Sequence, residues 1–396
     1  MRTIRDMTSI LISGASIAGT TLAYWLREHG FTVTVVERAT EVREGGYKVD
    51  IRGAALEVVE RMGLLEKIRT LRTDVRTGSV VDGGGRQVAG MDGDSFGGRV
   101  HQDAELHRGD LARLLHEATG GVEHVFGDSI ASIDGTRVTF DSGLVRHFDL
   151  IVGADGLHSN TRALAFGPEE RFVHDLGYNV SIFSVPNHLG LDREELTYVG
   201  PGRTALLYST RQDTGAKAMF LWAAGSTARD RAGQQRALAD AYRGSGWEVP
   251  RLLEAMAEAP DFYCDSLSQV RMDSWHAGRV ALVGDAAYCA SPASGQGTSL
   301  ALVGAYVLAG ELKRAAGDHA TAFPAYEARM RPFVAANQAL GTGNIKRMVL
   351  SSPFQVRMSM VMLRLVNLLP GKDRIMAKVV EPIHRAATAI DLPASW

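Results

Sequence analysis

The rhythm of apolar positions changes twice within the first forty residues. Ile10–Ser13 is a short continuous apolar run, Ala18–His29 follows helical spacing, and Thr32–Glu37 is β-branched through Val33, Val35 and Val36. The pattern predicts a strand, a helix and a second strand in one compact unit. Helical spacing recurs at Ala55–Met62 and at Leu106–Ala118, which Gly120-Gly121 would end. Short strands with turn signals follow at Val122–Phe126, Arg137–Phe140 and Phe148–Val152. The segment VDGGGRQV, Val81 to Val88, reads as a hairpin tip because no helix follows its glycines.

From Leu176 to Ala223 the pattern is different. YNVSIFSV, TALLYS and KAMFLWA are separated by Gly, Pro and Asp clusters, which predicts a separate antiparallel sheet. Helical patterns return at Gln234–Arg243 and Arg251–Ala257. RVALVGD, Arg279 to Asp285, is then a buried strand running into a polar turn. Thr298–Leu312 is apolar at helical spacing, and the remainder is mostly helical. The expected fold class is therefore α/β: an N-terminal dinucleotide-type unit, interrupted by an inserted sheet and completed from Arg279 onward.

Composition narrows the function classes. Hydrophobic content of 45% with 22% charged residues across 396 residues is that of a soluble globular protein. A net charge of −2 without a block of like charges points to neither nucleic acid nor an anionic membrane as partner. Two cysteines, Cys264 and Cys289, make no disulfide framework and no metal set, and fit a reducing, cytoplasmic setting. The start MRTIRDMTSILISG leads straight into the glycine turn and reads as the first strand rather than a signal peptide. In Ser351–Pro370 the apolar run is broken by Arg357 and Arg364 and falls short of the ~20 residues a span needs, so a packed amphipathic helix is expected. No metal-ligand cluster is visible, and no catalytic triad.

Three segments carry candidate chemistry. The first is the turn GASIAG, comprising Gly14, Ala15, Ser16, Ile17, Ala18 and Gly19. Gly14 permits a sharp exit from the strand, and Gly19 permits close helix packing. The helix N-terminus would face a pyrophosphate. Ser16 stands where the G-x-G-x-x-G fingerprint has its central glycine. Glu37 closes the second strand where a ribose would lie, with Arg38 beside it. Its charge disfavours a 2′-phosphate, leaving FAD or NAD. The second segment is DLIVGADGLHSNTR, in which Asp155 either caps a helix or orients a dinucleotide. The third is RVALVGDAAYCASPASGQGTSLAL. There Gly284-Asp285 ends a strand, and Pro292, Gly295 and Gly297 form a loop entering a helix, with N–H groups aimed at a ring that becomes anionic on reduction.

In this order the three motifs resemble the single-component flavoprotein monooxygenases related to para-hydroxybenzoate hydroxylase. EVREGGYKVDIRG and ELHRGDL are similar to segments of the tetracycline-inactivating members. The resemblance implies a Rossmann-like FAD-binding domain at 1–172 and 270–345, a substrate-binding sheet domain at 173–269, and a C-terminal bridging helical segment at 346–396. It also implies that Asp50, Arg108 and Asp285 contact FAD and that Arg43 contacts NADPH. NADPH or NADH would act as a transient reductant, and the oxygen donor would be a flavin C4a-hydroperoxide formed from O2. Tyr288, and Thr298 with Ser299, depart from the family pattern.

Substrate-facing candidates on the inserted sheet are Asn179, Phe183, Arg203, Tyr208, Phe220 and Trp222, for a small aromatic or polycyclic, polyketide-like molecule. No catalytic residue stands out, and the chain is expected to be a monomer. A flavoprotein reductase without oxygen insertion, or a non-catalytic FAD-fold binding protein, would share these motifs. The WxWxIP signature of the related halogenases is missing at Leu221-Trp222-Ala223-Ala224.

Overall fold

The computed structural model describes residues 8–43, 45–100, 102–225, 228–368 and 372–396. Ile10, Leu11 and Ile12 are completely buried because their strand, Ser9–Ser13, has a parallel neighbour on each side, Leu150–Gly153 and Thr32–Glu37. A strand covered on both faces is written as a continuous apolar run, and this one is. The six-stranded order is His276–Ala277, Val280–Leu282, Leu150–Gly153, Ser9–Ser13, Thr32–Glu37, Glu123–Phe126. Only the two-residue edge strand runs antiparallel. Val280–Leu282 arrives from late in the chain to complete the sheet, as the pattern around Arg279 predicts. The helix Gly297–Arg314 is buried from Ser299 to Leu312 and packs against the helix Ile17–Glu28.

The second, seven-stranded sheet has the order Tyr263–Val270, Val173–Val185, Ala216–Ala223, Arg203–Tyr208, Glu194–Gly200, Thr77–Val81, Gln87–Asp92. Its last two strands form the hairpin expected around VDGGGRQV, and Thr77–Val81 of that hairpin joins Glu194–Gly200 in parallel, so the sheet is not confined to 173–269. A lone hairpin could not bury Val80, Val81, Val88 and Ala89 as this edge does.

The two faces of this sheet have different neighbours. Phe183, Ala205, Leu207, Ala218, Phe220 and Trp222 share one face with Leu238, Tyr242, Leu252 and Met256, from two helices at Arg231–Ala241 and Val249–Met256 and their flanks. Val180, Leu206, Met219 and Leu221 share the other with Ala293, Ile345 and Val349.

Two elements differ from their sequence reading. Leu106–Ala118 is not one helix: Ala104–His107 pairs antiparallel with Lys48–Ile51, and the helix starts at Arg108. Cross-strand pairing satisfies the backbone of 104–107 in extended form, which a helical spacing rule does not register. The helix that bridges the two cores is His319–Met348, beginning ahead of the 346–396 segment. Phe323, Tyr326 and Phe333 lie in the first core and Ile345 beneath the second sheet.

Candidate active site

The glycine turn is set by backbone crowding. Gly14 leaves its strand at φ +107°, and a Cβ there would lie 2.6 Å from the Ala154 carbonyl oxygen. A Cβ at Gly19 would lie 1.9 Å from the carbonyl oxygen of Gly14. Glycine at both positions lets Ala15, Ser16, Ile17 and Ala18 carry the chain tightly into the helix, whose first N–H groups receive no side-chain cap. Glu37 turns back on this turn. Its carboxylate accepts from the Ala15 N–H and from the Ala39 N–H, both at 2.9 Å. The exposed Arg43 guanidinium lies 3.8 Å from Glu37, and Arg38 is exposed at the same edge.

The antiparallel two-stranded ribbon of Lys48–Ile51 and Ala104–His107 explains why two distant segments act together. It sets Asp50 opposite Glu105 and delivers Arg108 as the first residue of the next helix. Arg52 donates to one Asp50 oxygen at 2.8 Å, while the other is buried without a hydrogen bond. Arg108 donates to the Ser16 hydroxyl at 2.8 Å and forms no ion pair among the described residues.

The third motif closes on the first. Gly284 adopts φ +67°, and a Cβ there would lie 2.9 Å from the Ala18 methyl. Asp285 follows. Burial raises its carboxyl pKa, and the charge of Arg108 acts the other way. Pro292 opens a single turn, Pro292–Ser294, Gly295 ends it in the left-handed region at φ +64°, and Gly297 starts the long helix. Between them Gln296 is completely buried with neither end of its amide bonded, and the Ser291 hydroxyl is likewise unpartnered. Unpaired buried polar groups are costly, about 1–3 kcal/mol each, and this loop gathers several.

The uncapped helix N-terminus of the first motif, Arg108 and Asp50 from the paired strands and their following helix, and the unbonded Gln296 amide of the third motif are brought to one region by the Arg108–Ser16 and Gly284–Ala18 contacts. The set fits a ligand with a diphosphate centre and a polar ring, as FAD has. Asp155 is different, since its carboxylate is fully engaged within the chain. It accepts from the Thr161 N–H and hydroxyl at 2.8 Å each and from the Ser159 hydroxyl. These bonds tie Asp155 to the first turn of the helix Asn160–Phe166, whose N-cap is Ser159. Tyr288 also points away, into the core, where its hydroxyl lies 3.0 Å from that of Tyr326. Ser299 accepts from the Arg52 N–H at 3.2 Å and ties the long helix to the ribbon.

The FAD binding domain family model matches residues 7–339. The chain belongs to this FAD-binding family. It is 47% identical over 349 residues to an uncharacterized protein of Mycobacterium tuberculosis strain H37Rv, covering 86% of this chain and 94% of the relative. It is 40% identical over 339 residues to a flavin-dependent monooxygenase of Legionella longbeachae, covering 84% and 87%. Among solved structures it resembles the tetracycline destructase Tet(55), with a TM-score of 0.86, 36% identity, and coverage of 99% of this chain and 100% of that one. The protein is an FAD-dependent monooxygenase of the single-component class, close to the tetracycline destructases.

On the substrate side of this monooxygenase the sequence reading needs correction. Asn179, Phe183, Phe220 and Trp222 do not face the flavin loop. They alternate onto the helix-covered face, where Phe183 and Phe220 stack at 5.6 Å and Trp222 meets Tyr242 edge-on. Arg203 lies there too, paired across the strands with Trp222 and set over the Tyr242 ring. The strands were placed correctly and their phase was not: a shift of one residue exchanges the faces.

Tyr208 is the exception. Its fully buried ring lies under the Lys48 ammonium, 4.9 Å away, and burial raises the phenol pKa. Lys48 itself pairs with Glu195 of the sheet and, at 3.2 Å, with Glu105 of the ribbon, which also binds Arg99. Burial alone would lower the Lys48 pKa, but the two carboxylates reverse this and hold it above the usual value. This network was missed in the sequence. Its signal was the alternation of charged and apolar residues in Lys48-Val49-Asp50-Ile51 and Ala104-Glu105-Leu106-His107.

Among the described residues no group of His, Cys, Asp or Glu is placed to hold a metal, and no helix is long and apolar enough to cross a membrane.

Proposed function

We propose that this monooxygenase takes electrons from NADPH or NADH and transfers one oxygen atom from O2 to an electron-rich phenol or enol of the polycyclic, polyketide-like class. The observation that carries this reading is the 36% identity to the tetracycline destructase Tet(51), which extends over 98% of this chain and 99% of that one. Tetracycline-type compounds are accordingly the first substrates to test.

Bound FAD supplies the redox chemistry and the activation of O2. The residues of the chain bind, orient and shield. The uncapped N-terminus of the helix Ile17–Glu28 and Arg108 hold the diphosphate. Glu37 meets the adenosine ribose, and Asp50 and Asp285 meet polar groups nearer the ring. The loop from Pro292 to Gly297 presents N–H groups where negative charge develops. Val180, Leu206, Met219 and Leu221 form the apolar wall that excludes water from the opposite side. Arg43, exposed and loosely paired, is the cation assigned to the phosphate of NADPH. The protein works as a monomer in the cytoplasm.

The test is to incubate FAD-loaded protein with NADPH or NADH and a panel of phenolic polyketides, including a tetracycline, under isotopically labelled O2. A product carrying the label supports oxygen insertion and names the substrate class. Substrate-stimulated reductant oxidation with an unlabelled product would overturn it in favour of a reductase.

A further inference from the structure

Ser16 occupies the helix N-cap position but does not cap its helix. Its backbone is extended, φ −95° and ψ −168°, the conformation from which a serine hydroxyl usually accepts a bond from the helix N–H groups two or three residues on. Such a bond is worth about 1 kcal/mol, so its omission needs a competing partner. That partner is Arg108, whose guanidinium donates to the Ser16 hydroxyl at 2.8 Å.

Arg108 is delivered to this contact by its own backbone and stem. Its N–H donates to the Tyr47 carbonyl at 3.0 Å. Its side chain runs past Gly46, where a Cβ would lie 3.6 Å from the Arg108 Cβ. It forms no ion pair with a carboxylate among the described residues.

We propose that Ser16 is a positioning residue for FAD, a reading that rests on FAD occupying this cleft. By accepting from Arg108 instead of capping its helix, the hydroxyl does two things at once. It anchors a cation beside the diphosphate, and it leaves the helix N–H groups free for the phosphate oxygens. The departure from the glycine fingerprint is then a gain of function for this chain. The fingerprint argument makes the contrary forecast: glycine at position 16 would let the backbone approach the phosphate more closely and bind more tightly.

The experiment is a fluorescence titration of the full-length apoprotein with FAD at fixed ionic strength, comparing wild type, Ser16→Gly, Ser16→Ala, Ser16→Thr, Arg108→Gln and the Ser16→Ala/Arg108→Gln double variant. Thermal melts of each apo form report folding independently. Ser16→Gly and Ser16→Ala are expected to raise Kd about tenfold, the size of one hydrogen bond to a charged group. Ser16→Thr, which keeps the hydroxyl, should stay within about twofold of wild type. In the Arg108→Gln background Ser16→Ala should cost nothing further. Equal or tighter binding by Ser16→Gly overturns the proposal. So does a Ser16→Ala loss that persists without Arg108, or a weakened Ser16→Thr. Wild-type protein that binds no FAD would instead overturn the cofactor reading itself.

Discussion

Lys48 and Glu195 form an ion pair between the two-stranded ribbon that carries Asp50 and the sheet that covers the flavin loop. Both side chains are largely buried, and Glu195 has no other ion-pair partner among the described residues. The fold therefore ties the two-stranded ribbon that carries Asp50 to the seven-stranded sheet through charge, at the level of Tyr208.

Removing the cation strands the Glu195 carboxylate in a poorly solvated place, while Glu105 keeps Arg99. Lys48→Met is expected to destabilise the protein by about 3 kcal/mol, measured by urea unfolding. Glu195→Gln keeps an acceptor for the ammonium and should cost less. The double variant should be more stable than the sum of the single losses predicts. Strict additivity would show that the pair does not couple the ribbon to the sheet.

His158, which follows the strand Leu150–Gly153, makes a second, pH-sensitive link to the seven-stranded sheet through Asp265. Its ring lies between Glu169 at 3.0 Å and Asp265 at 3.2 Å. The hydrogen bond to Asp265 raises its pKa most, burial opposes this, and Glu169 adds to the rise, leaving it at about 9. A folded pKa above the unfolded value of about 6.5 means the link is fully present below that pH and is lost as pH rises through about 9. The ring is half exposed, so the effect is small. The urea midpoint of wild type should fall more steeply across this window than that of His158→Gln, and parallel curves would refute the assignment.

Gly304 lies inside a helix, where alanine ordinarily stabilises by about 1 kcal/mol. Here a Cβ would lie 1.9 Å from the Tyr288 hydroxyl oxygen. Overpacking wins, and Gly304→Ala should lower the melting temperature, with a net loss of about 1–2 kcal/mol. Tyr288→Phe, by removing that oxygen, should restore part of the loss in the double variant.

Met219 and Phe220 are adjacent in sequence and opposite in duty. Met219→Ala should raise KM or alter substrate preference with a small stability change, because it faces the flavin loop side. Phe220→Leu should lower stability by about 1 kcal/mol and leave KM unchanged, because it faces the helices. Steady-state kinetics beside a thermal melt separates the two, and a KM effect at Phe220 alone would reverse the assignment of faces.

The turns and strands of the cofactor half were legible in the sequence because a tight strand-to-helix turn makes demands on the backbone that glycine meets. Gly14, Gly284 and Gly295 each take a positive φ and Gly19 is crowded by the carbonyl of Gly14, so their spacing carries the message, although the atoms that crowd Gly14 and Gly284 come from Ala154 and Ala18 far away in sequence. The parallel strands were legible for a similar reason, since burial on both faces writes an unbroken apolar run such as Ile10–Ile12. The substrate half was legible only as strands. Phe183 and Val180 belong to one strand, and which of them faces the flavin loop depends on where the helices Arg231–Ala241 and Val249–Met256 settle. That is a long-range outcome that period two alone leaves open. The charges of Lys48, Glu105 and Glu195 were visible in the sequence, but their partnership was not. Local order determined where the nucleotide turn lies. Only the tertiary fold decided which residues stand opposite it, because a side chain's face is set by what packs against its strand.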